Sequence, residues 1–441
     1  MKITVVGLGK IGLPLAVQFA GRGHEVQGVD IEPAVVEAVA AGRPPFPGED
    51  QLADRLGQAI SSGALRPRTD TADAVSASEF VVVVVPLYVD GLGDPDFRAL
   101  DSATGEVARG LRPGTLVSYE TTLPVGCTRQ RIAPLLRSGS GLQPGADFSL
   151  VFSPERVYSG RVFSDLARYP KLVGGIDEAS GRRAIDCYSE VLSFDERPDL
   201  VKPNGVWDLG SAEAAEFAKL AETTYRDVNI GLVNQFALHA HRIGVDLDRV
   251  IEACNSQPFS HLHRPGIAVG GHCIPVYPQF YLNGDPHASI VRAAREANSA
   301  MPARAIELLG EASNGLAGLR VAVLGAAYRG GVRETAFSGV FDAVAALRAH
   351  GAEALVHDPL YTPNELEGLG FASYQPGDPV DCAVVQADHD EYRTWSAADL
   401  PGVRTVLDGR GVLDPSLWPG VDLLVLGRES RRSLTSMPVS S

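Results

Sequence analysis

The sequence predicts an α/β fold with two doubly wound parallel-sheet domains joined by a long central helix. Three observations carry that prediction. Short runs of branched apolar residues alternate with helical stretches near both ends of the chain, the pattern of parallel strands with crossover helices. A helical stretch without proline runs from about 211 to 243 between them. The first strand runs directly into Gly7-Leu8-Gly9-Lys10-Ile11-Gly12, the spacing of a Rossmann-like dinucleotide turn.

Taken in order, residues 2–7 read as a buried strand and the helix after Gly12 runs to about Gly21. A second strand, 25–29, ends at Asp30, 18 residues after Gly12. Gly7, Gly9 and Gly12 let the backbone approach a pyrophosphate at a helix N-terminus, and the Asp30 carboxylate takes the ribose hydroxyls. Asp30 would repel a 2′-phosphate and no arginine follows it closely, so the expected cofactor is NAD rather than NADP. Val81 to Val85 is a central strand. Strand 116–119 ends at Glu120-Thr121-Thr122. Strand 148–152 ends at Ser153-Pro154-Glu155-Arg156, where parallel sheets present their ligands. Glu155 is there either a base for water or an acid in the first turn of the next helix.

The 211–243 stretch would span roughly 50 Å at 1.5 Å per residue, which suits a spine between domains or a dimer interface. Glu216, Lys219, Thr223 and Arg226 fall on one face of it, a polar face expected to line a site or a polar interface. Only five of the 39 basic residues are lysines: Lys2, Lys10, Lys171, Lys202 and Lys219. A lysine in this helix therefore needs a reason beyond solvation. Lys219 either pairs with Glu216 or Glu222 on the helix surface, or supplies a cation for a developing oxyanion or a nearby thiolate.

Cys273 stands in Val269-Gly270-Gly271-His272-Cys273-Ile274-Pro275. Glycines and a proline are a poor packing frame and a good frame for a nucleophile that a substrate approaches closely. Cys127, Cys187, Cys254 and Cys382 are expected to be small buried hydrophobes. The five cysteines show no paired spacing, so neither a disulfide framework nor a metal site is expected. A reactive thiol combined with a hydride acceptor points to oxidation through a thiohemiacetal and then a thioester.

A second α/β unit begins with 320–325 and continues through a helix near 338–350 and strands near 354–358, 382–386, 404–408 and 422–426. Its first turn, Gly325-Ala326-Ala327-Tyr328-Arg329, lacks the second glycine of the fingerprint. A nucleotide diphosphate held by amides and arginines fits it better than a second dinucleotide. The expected domains are 1–203 for NAD, 204–302 as a central helical segment carrying Lys219 and Cys273, and 303–428 for that diphosphate ligand, with a disordered tail at 429–441. A net charge of −15 argues against nucleic acid or an anionic membrane as partner. No apolar run reaches the roughly 18 residues of a membrane span. The chain opens on a strand rather than a signal peptide, so the cytoplasm is the expected compartment.

Together these motifs resemble the nucleotide-sugar 6-dehydrogenase family, which comprises UDP-glucose, GDP-mannose and UDP-N-acetylhexosamine dehydrogenases. The resemblance spans nearly the whole chain. It rests on the Gly7–Gly12 turn, Glu120-Thr121-Thr122-Leu123-Pro124-Val125-Gly126, Ser153-Pro154-Glu155-Arg156, Lys219 with Arg226-Asp227-Val228-Asn229-Ile230, Gly270-Gly271-His272-Cys273-Ile274-Pro275, and Asp408-Gly409-Arg410. It implies two oxidations at C6 of a sugar, from alcohol to carboxylate, with two NAD⁺, and a homodimer built through the central helix. In that scheme Cys273 attacks the aldehyde, Lys219 stabilises the oxyanion, Thr122 and Glu155 position and activate water, and Thr223 belongs to the polar network at C6. Gly7, Gly9, Lys10, Ile11, Gly12, Asp30, Pro86 and Thr122 face the cofactor. Glu155, Arg156, Lys219, Arg226, Asn229, Gly270, Arg329 and Arg410 face the substrate, with Arg333 at the nucleotide or between domains.

Three positions depart from the family pattern. Tyr277 stands where Asp is usual, Thr223 where Asn is usual, and Leu87-Tyr88 follows Pro86 where Thr-Pro is common. The Pro-Glu-Arg-Val and Gly-Gly-His-Cys-Ile-Pro runs are closest to the UDP-N-acetylhexosamine branch (mannosamine or glucosamine). UDP-glucose as substrate, release of a partly oxidised product, and a non-catalytic sugar-nucleotide binder are the alternatives.

Overall fold

The computed structural model describes residues 1–90 and 93–428. The tail 429–441, expected to be disordered, lies outside the described residues. The chain forms two compact units: Met1–Glu222 with Gln279–Gly284, and Thr223–Pro278 with the residues from Asp285 onward.

The first unit is an eight-stranded sheet. Its strands are β1 (Lys2–Val6), β2 (Glu25–Val29), β3 (Leu65–Arg68), β4 (Phe80–Val83), β5 (Leu116–Tyr119), β6 (Ser149–Phe152), β7 (Lys171–Gly175) and β8 (Val206–Asp208). Their spatial order is β8-β7-β6-β5-β4-β1-β2-β3. Pairing is parallel except between β6 and β7. β4 and β5 are buried along their whole length, which is why they read as apolar runs without alternation. Helix α1 (Gly12–Gly21) lays Leu13, Leu15, Ala16 and Phe19 into the core. Helix α2 (Glu178–Val191) is capped by Asp177, whose carboxylate accepts the Ser180 amide at 2.7 Å, and it brings Tyr188 into the interior. The order reverses at β1, whose neighbours are β2 and β4. Doubly wound sheets bind nucleotides at such a switch point.

Helix α3 runs unbroken over Ala212–Ile243, as the sequence predicts, and lends its first turns to one unit and the remainder to the other. In the second unit α4 (Ser289–Ala312) accommodates Pro302. The sheet strands there are β9 (Arg320–Leu324), β10 (Glu353–His357), β11 (Ala372–Ser373), β12 (Cys382–Val385), β13 (Thr405–Asp408) and β14 (Asp422–Val425). They are parallel throughout, in the order β11-β10-β9-β12-β13-β14. The same reversal recurs at β9, so both predicted doubly wound sheets are present. No helix among the described residues is long and apolar enough to cross a membrane.

Candidate active site

The glycines of the first turn have three different jobs. Gly7 has φ +95°, and a Cβ there would meet the Val84 carbonyl oxygen at 3.1 Å. A Cβ on Gly12 would stand 1.8 Å from the Gly7 carbonyl oxygen, so Gly12 lets α1 close onto the turn. Around Gly9 nothing lies within 4 Å of a built Cβ; that is the open approach a pyrophosphate needs. Lys10 is exposed and Ile11 half-buried beside it. Asp30 accepts the Leu8 amide on Oδ2 at 2.9 Å and the Glu32 amide on Oδ1 at 3.0 Å, which orients its carboxylate at the end of β2. Pro86 is exposed just past β4, and Thr122 is buried past β5. These residues fit NAD.

Glu155 neither caps nor opens a helix. It lies in the loop after β6 and is held from two sides by lysines. Lys171 at the start of β7 donates to Glu155 Oε2 at 2.8 Å, and Lys219 of α3 donates to the Glu155 carbonyl at 2.7 Å. Lys219 is only 6% exposed, so the solvated-surface reading fails. Both glutamates named as possible partners make bonds elsewhere. Glu216 accepts from the amides of Gly126 and Thr128 and from the Thr128 hydroxyl, at 2.5, 2.8 and 2.6 Å, while Glu222 pairs with Arg156 at 3.3 Å. Glu216 thereby ties α3 to the Gly126–Thr128 turn. Burial pushes its carboxyl up to about 7, against the pull of those donors.

Lys171 also donates to Glu120 Oε2 at 2.6 Å, and Glu120 Oε1 accepts the Tyr188 hydroxyl at 2.5 Å. All four groups are buried or nearly so. Burial pushes Glu120 up to about 7 despite the ammonium beside it. Burial also works to raise Glu155, but Lys171 and the Arg156 amide outweigh it and the net direction is down. On Lys171 the two carboxylates outweigh burial and raise the ammonium. The two carboxyls that share Lys171 are thus shifted in opposite directions, Glu120 up and Glu155 down. Sequence reasoning missed both Lys171 and Glu120. The scarcity of lysine that singled out Lys219 applies equally to Lys171.

In the second unit Cys273 is the one exposed cysteine; Cys382 is buried and the other three are half-buried rather than fully buried. Burial raises the thiols of Cys127, Cys187 and Cys382, which keeps them protonated and inert. The glycine frame has a packing reason too. A Cβ on Gly270 would meet Tyr328 Cβ at 2.6 Å, and Gly271, at φ +85°, lies against the same ring. The Cys273 carbonyl accepts the Tyr277 amide at 2.9 Å, so Tyr277 is braced to the turn that carries the thiol. His272 stands 3.8 Å from Glu334. The loop is also held from behind: Arg295 of α4 donates to the Pro275 carbonyl at 3.2 Å and to Asp227 Oδ2 at 2.7 Å. Asn298 completes this buried cluster by donating to Asp227 Oδ1 at 2.8 Å. Asp227 and Arg295 were not expected as site residues.

Other residues assigned to substrate have local partners. Asn229 uses both ends of its amide on the 261–263 loop, donating to the His261 carbonyl and accepting the His263 amide. Arg156 donates to the Pro170 carbonyl at 2.9 Å. Arg410 donates to the carbonyls of Gln386 and Tyr328 at 2.6 and 3.2 Å, bracing two strand-end loops. Arg333 pairs with Glu365 and covers the Tyr361 ring. Thr223 is buried, whereas Arg226 and Arg329 are half-buried. The second unit's first turn also differs from the expectation that its amides hold a diphosphate. Ala326 and Ala327 donate theirs to Asp358 Oδ2, at 2.8 and 2.9 Å.

Comparison with known proteins bears out the resemblance. Residues 1–192 match the NAD-binding domain of the UDP-glucose/GDP-mannose dehydrogenase family, 213–300 its central domain and 322–415 its UDP-binding domain. A UDP-N-acetyl-D-mannosamine dehydrogenase of Pyrococcus horikoshii is 35% identical over 423 residues, covering 94% of this chain and 96% of its own. The enzyme of that name from Escherichia coli K12 is 30% identical and covers 93% of this chain and 98% of its own. Among solved structures, UDP-D-ManNAc dehydrogenase from Pyrococcus horikoshii has a TM-score of 0.86 at 32% identity, covering 97% of this chain and 99% of its own. A UDP-glucose dehydrogenase from Pyrobaculum islandicum has a TM-score of 0.84 at 27% identity, covering 97% of each. The chain therefore belongs to the UDP-glucose/GDP-mannose dehydrogenase family, with that family's NAD-binding and UDP-binding domains.

Proposed function

We propose that this protein oxidises C6 of a UDP-N-acetylhexosamine, UDP-N-acetyl-D-mannosamine first among them, from alcohol to carboxylate. The observation that carries this reading is the exposed Cys273 in a loop braced by Arg295, in a chain whose relatives over nearly its full length are named UDP-N-acetyl-D-mannosamine dehydrogenases. NAD⁺, held by the Gly7–Gly12 turn and Asp30, supplies the hydride acceptor for both oxidations.

In this reading the Cys273 thiolate adds to the C6 aldehyde left by the first oxidation, giving a thiohemiacetal. Its oxidation leaves a thioester. Water then attacks the acyl carbon, the carbon–sulfur bond breaks, and the electron pair returns to Cys273 Sγ. Lys219 offers its ammonium to the oxyanion, Glu155 takes the proton of the attacking water, and Thr122 and Thr223 orient water and sugar. The remaining assignments, Lys10, Ile11 and Pro86 to the cofactor and Arg156, Arg226, Asn229, Gly270, Arg329 and Arg410 to the substrate, belong to the same proposal.

The chain is further proposed to work as a homodimer in the cytoplasm. Tyr225, Leu232, Phe236 and Ile243 expose apolar surface along α3, and apolar stripes of this kind mark association sites.

The test is a panel of UDP- and GDP-sugars with NAD⁺. About two NADH per sugar and a uronate from UDP-N-acetyl-D-mannosamine are expected. Preference for UDP-glucose would transfer the reading to that sugar, and no NADH from any sugar would refute it. A stable acyl group on Cys273 would favour incomplete turnover, which the absence of Asp at Tyr277 makes worth measuring.

A further inference from the structure

Residues 266–275, which carry Cys273, form a strap across strand ends of the second unit. The Ile267 amide donates to the Gly409 carbonyl just past β13 at 3.0 Å, and the Gly271 amide donates to the Ala336 carbonyl at 2.9 Å. A Cβ on Gly339 would stand 2.2 Å from Ala268 Cβ, and one on Gly270 would stand 2.6 Å from Tyr328 Cβ. The strap thus lies directly on the loops that follow β9 and β13, the edge at which a doubly wound sheet takes its ligand.

Both ends of the strap are fastened to α3 and α4 by one chain of polar side chains. At the first end the Gly266 amide donates to Asn234 Oδ1 at 3.0 Å, and Asn234 Nδ2 donates to Asn298 Oδ1 at 2.9 Å. Asn298 Nδ2 donates in turn to the Asp227 carbonyl and to Asp227 Oδ1, at 2.9 and 2.8 Å. Asp227 also accepts Arg295, which reaches the Pro275 carbonyl at the other end. Asn234, Asn298, Asp227 and Arg295 are all buried.

The direction of this chain is fixed from its two ends. Which end of an amide side chain is the oxygen follows from its partners. A peptide N–H only donates, so Asn234 turns its oxygen to Gly266 and its NH2 to Asn298. A carboxylate only accepts, so Asn298 turns its NH2 to Asp227 and its oxygen to Asn234. The two requirements agree, and Asn298 is the joint between the halves. In a dry interior, a break at that joint leaves a donor and an acceptor unpaired.

We propose that Asn234 and Asn298 are positioning residues for Cys273, holding the strap by both ends so that the thiol keeps its place over the strand ends of the UDP-binding sheet. They act through Gly266 and Pro275. The consequence for turnover rests on the reading that Cys273 forms the covalent intermediate; the place of the thiol does not.

Asn298→Leu in the full-length protein removes both amide functions at nearly constant volume. Hydrogen exchange of residues 265–277 should quicken roughly tenfold, the scale set by an unpaired buried group, while exchange in β9 stays as in the wild type. Alkylation of Cys273 should quicken with it. Wild-type exchange of the strap, or wild-type alkylation of Cys273, in folded Asn298→Leu overturns the proposal. If that variant does not fold, Asn234→Leu, which frees the Gly266 end, carries the same comparison.

Asn298→Asp separates the hydrogen bonds from general damage. Its protonated carboxyl offers one donor and one acceptor in the places of the amide, and the like charge of Asp227 favours that form at about pH 5. The strap should there exchange close to the wild-type rate. A strap as loose as in Asn298→Leu overturns the proposed direction of the chain. In turnover, Asn298→Leu should lower kcat with UDP-N-acetyl-D-mannosamine about tenfold or more, as misplaced reacting groups do, with KM little changed and NADH affinity unaltered. An unchanged kcat in a variant whose strap has loosened overturns the positioning role. A wild type that oxidises no sugar defeats the functional reading, while exchange and alkylation still decide whether the chain places the thiol.

Discussion

Replacing Arg295 with methionine isolates what holds the Cys273 loop. Arg295 and Asp227 have side chains 9% and 0% exposed and meet at 2.7 Å, and a second Arg295 donor supports the Pro275 carbonyl. The substitution leaves Asp227 buried without its cation. Breaking a buried pair on one side costs about 3–5 kcal/mol, and the lost Pro275 contact adds roughly 1 kcal/mol. For a unit of this size the ion-pair loss alone lowers the midpoint of thermal unfolding by roughly 6–20 °C.

The loss should depend on pH. Burial already raises the Asp227 carboxyl above its ordinary value, and Arg295 and Asn298 pull it back. Without Arg295 it rises further. A carboxyl raised in the folded state binds more protons folded than unfolded, so its contribution is fully present at low pH and is lost as pH climbs through the folded value. The deficit should therefore be larger at pH 8 than at pH 5. Adding Asp227→Leu should recover much of the loss, because an apolar pair carries no desolvation cost. The assays are thermal and urea unfolding at both pH values, together with the rate of Cys273 alkylation, which should change as the loop loosens. A loss below about 1 kcal/mol, an inverted pH trend, or a double variant worse than Arg295→Met would refute the reasoning.

Cys273→Ala should reduce uronate formation by at least about a thousandfold, since loss of a nucleophile removes the covalent route; mass spectrometry of the product checks this, and undiminished uronate would count against a thioester. Gly9→Val should weaken NADH binding, followed by fluorescence titration, with little change in unfolding temperature, because the space at Gly9 is open. Gly12→Ala, whose Cβ would stand 1.8 Å from the Gly7 carbonyl oxygen, should lower both binding and stability; equal effects from the two variants would mean the turn's geometry has been misread. Leu232→Glu with Phe236→Glu, on exposed positions of α3, should shift the mass seen by light scattering from dimer towards monomer, and an unchanged dimer would place the interface elsewhere.

The strands most legible in the sequence were the doubly buried ones, such as β4 and β9, whose valine-rich runs have few other meanings. β3, with Leu65-Arg66-Pro67-Arg68, and β7, which opens on a lysine, escaped because neither alternates nor runs apolar. β7 holds Lys171 in the interior only because two carboxylates meet it there. The long helix was visible because 32 residues pass without a proline. Its polar face was visible too, but Glu216 turned out to hold the Gly126–Thr128 turn rather than Lys219.

By itself the sequence determined the two doubly wound sheets, the dinucleotide turn with its acid, and the identity of the one thiol set apart from the others. These are local signals, written in glycine spacing and apolar periodicity that a short stretch of chain contains whole. Only the tertiary structure decided which charges meet. Lys171 lies 51 residues from Glu120 and 16 from Glu155, and Arg295 lies 68 from Asp227. Such pairs depend on strand order and helix packing, and their burial shifts the carboxyls that take part. The fold could therefore be read residue by residue, whereas the proton chemistry of its interior required the chain to be folded.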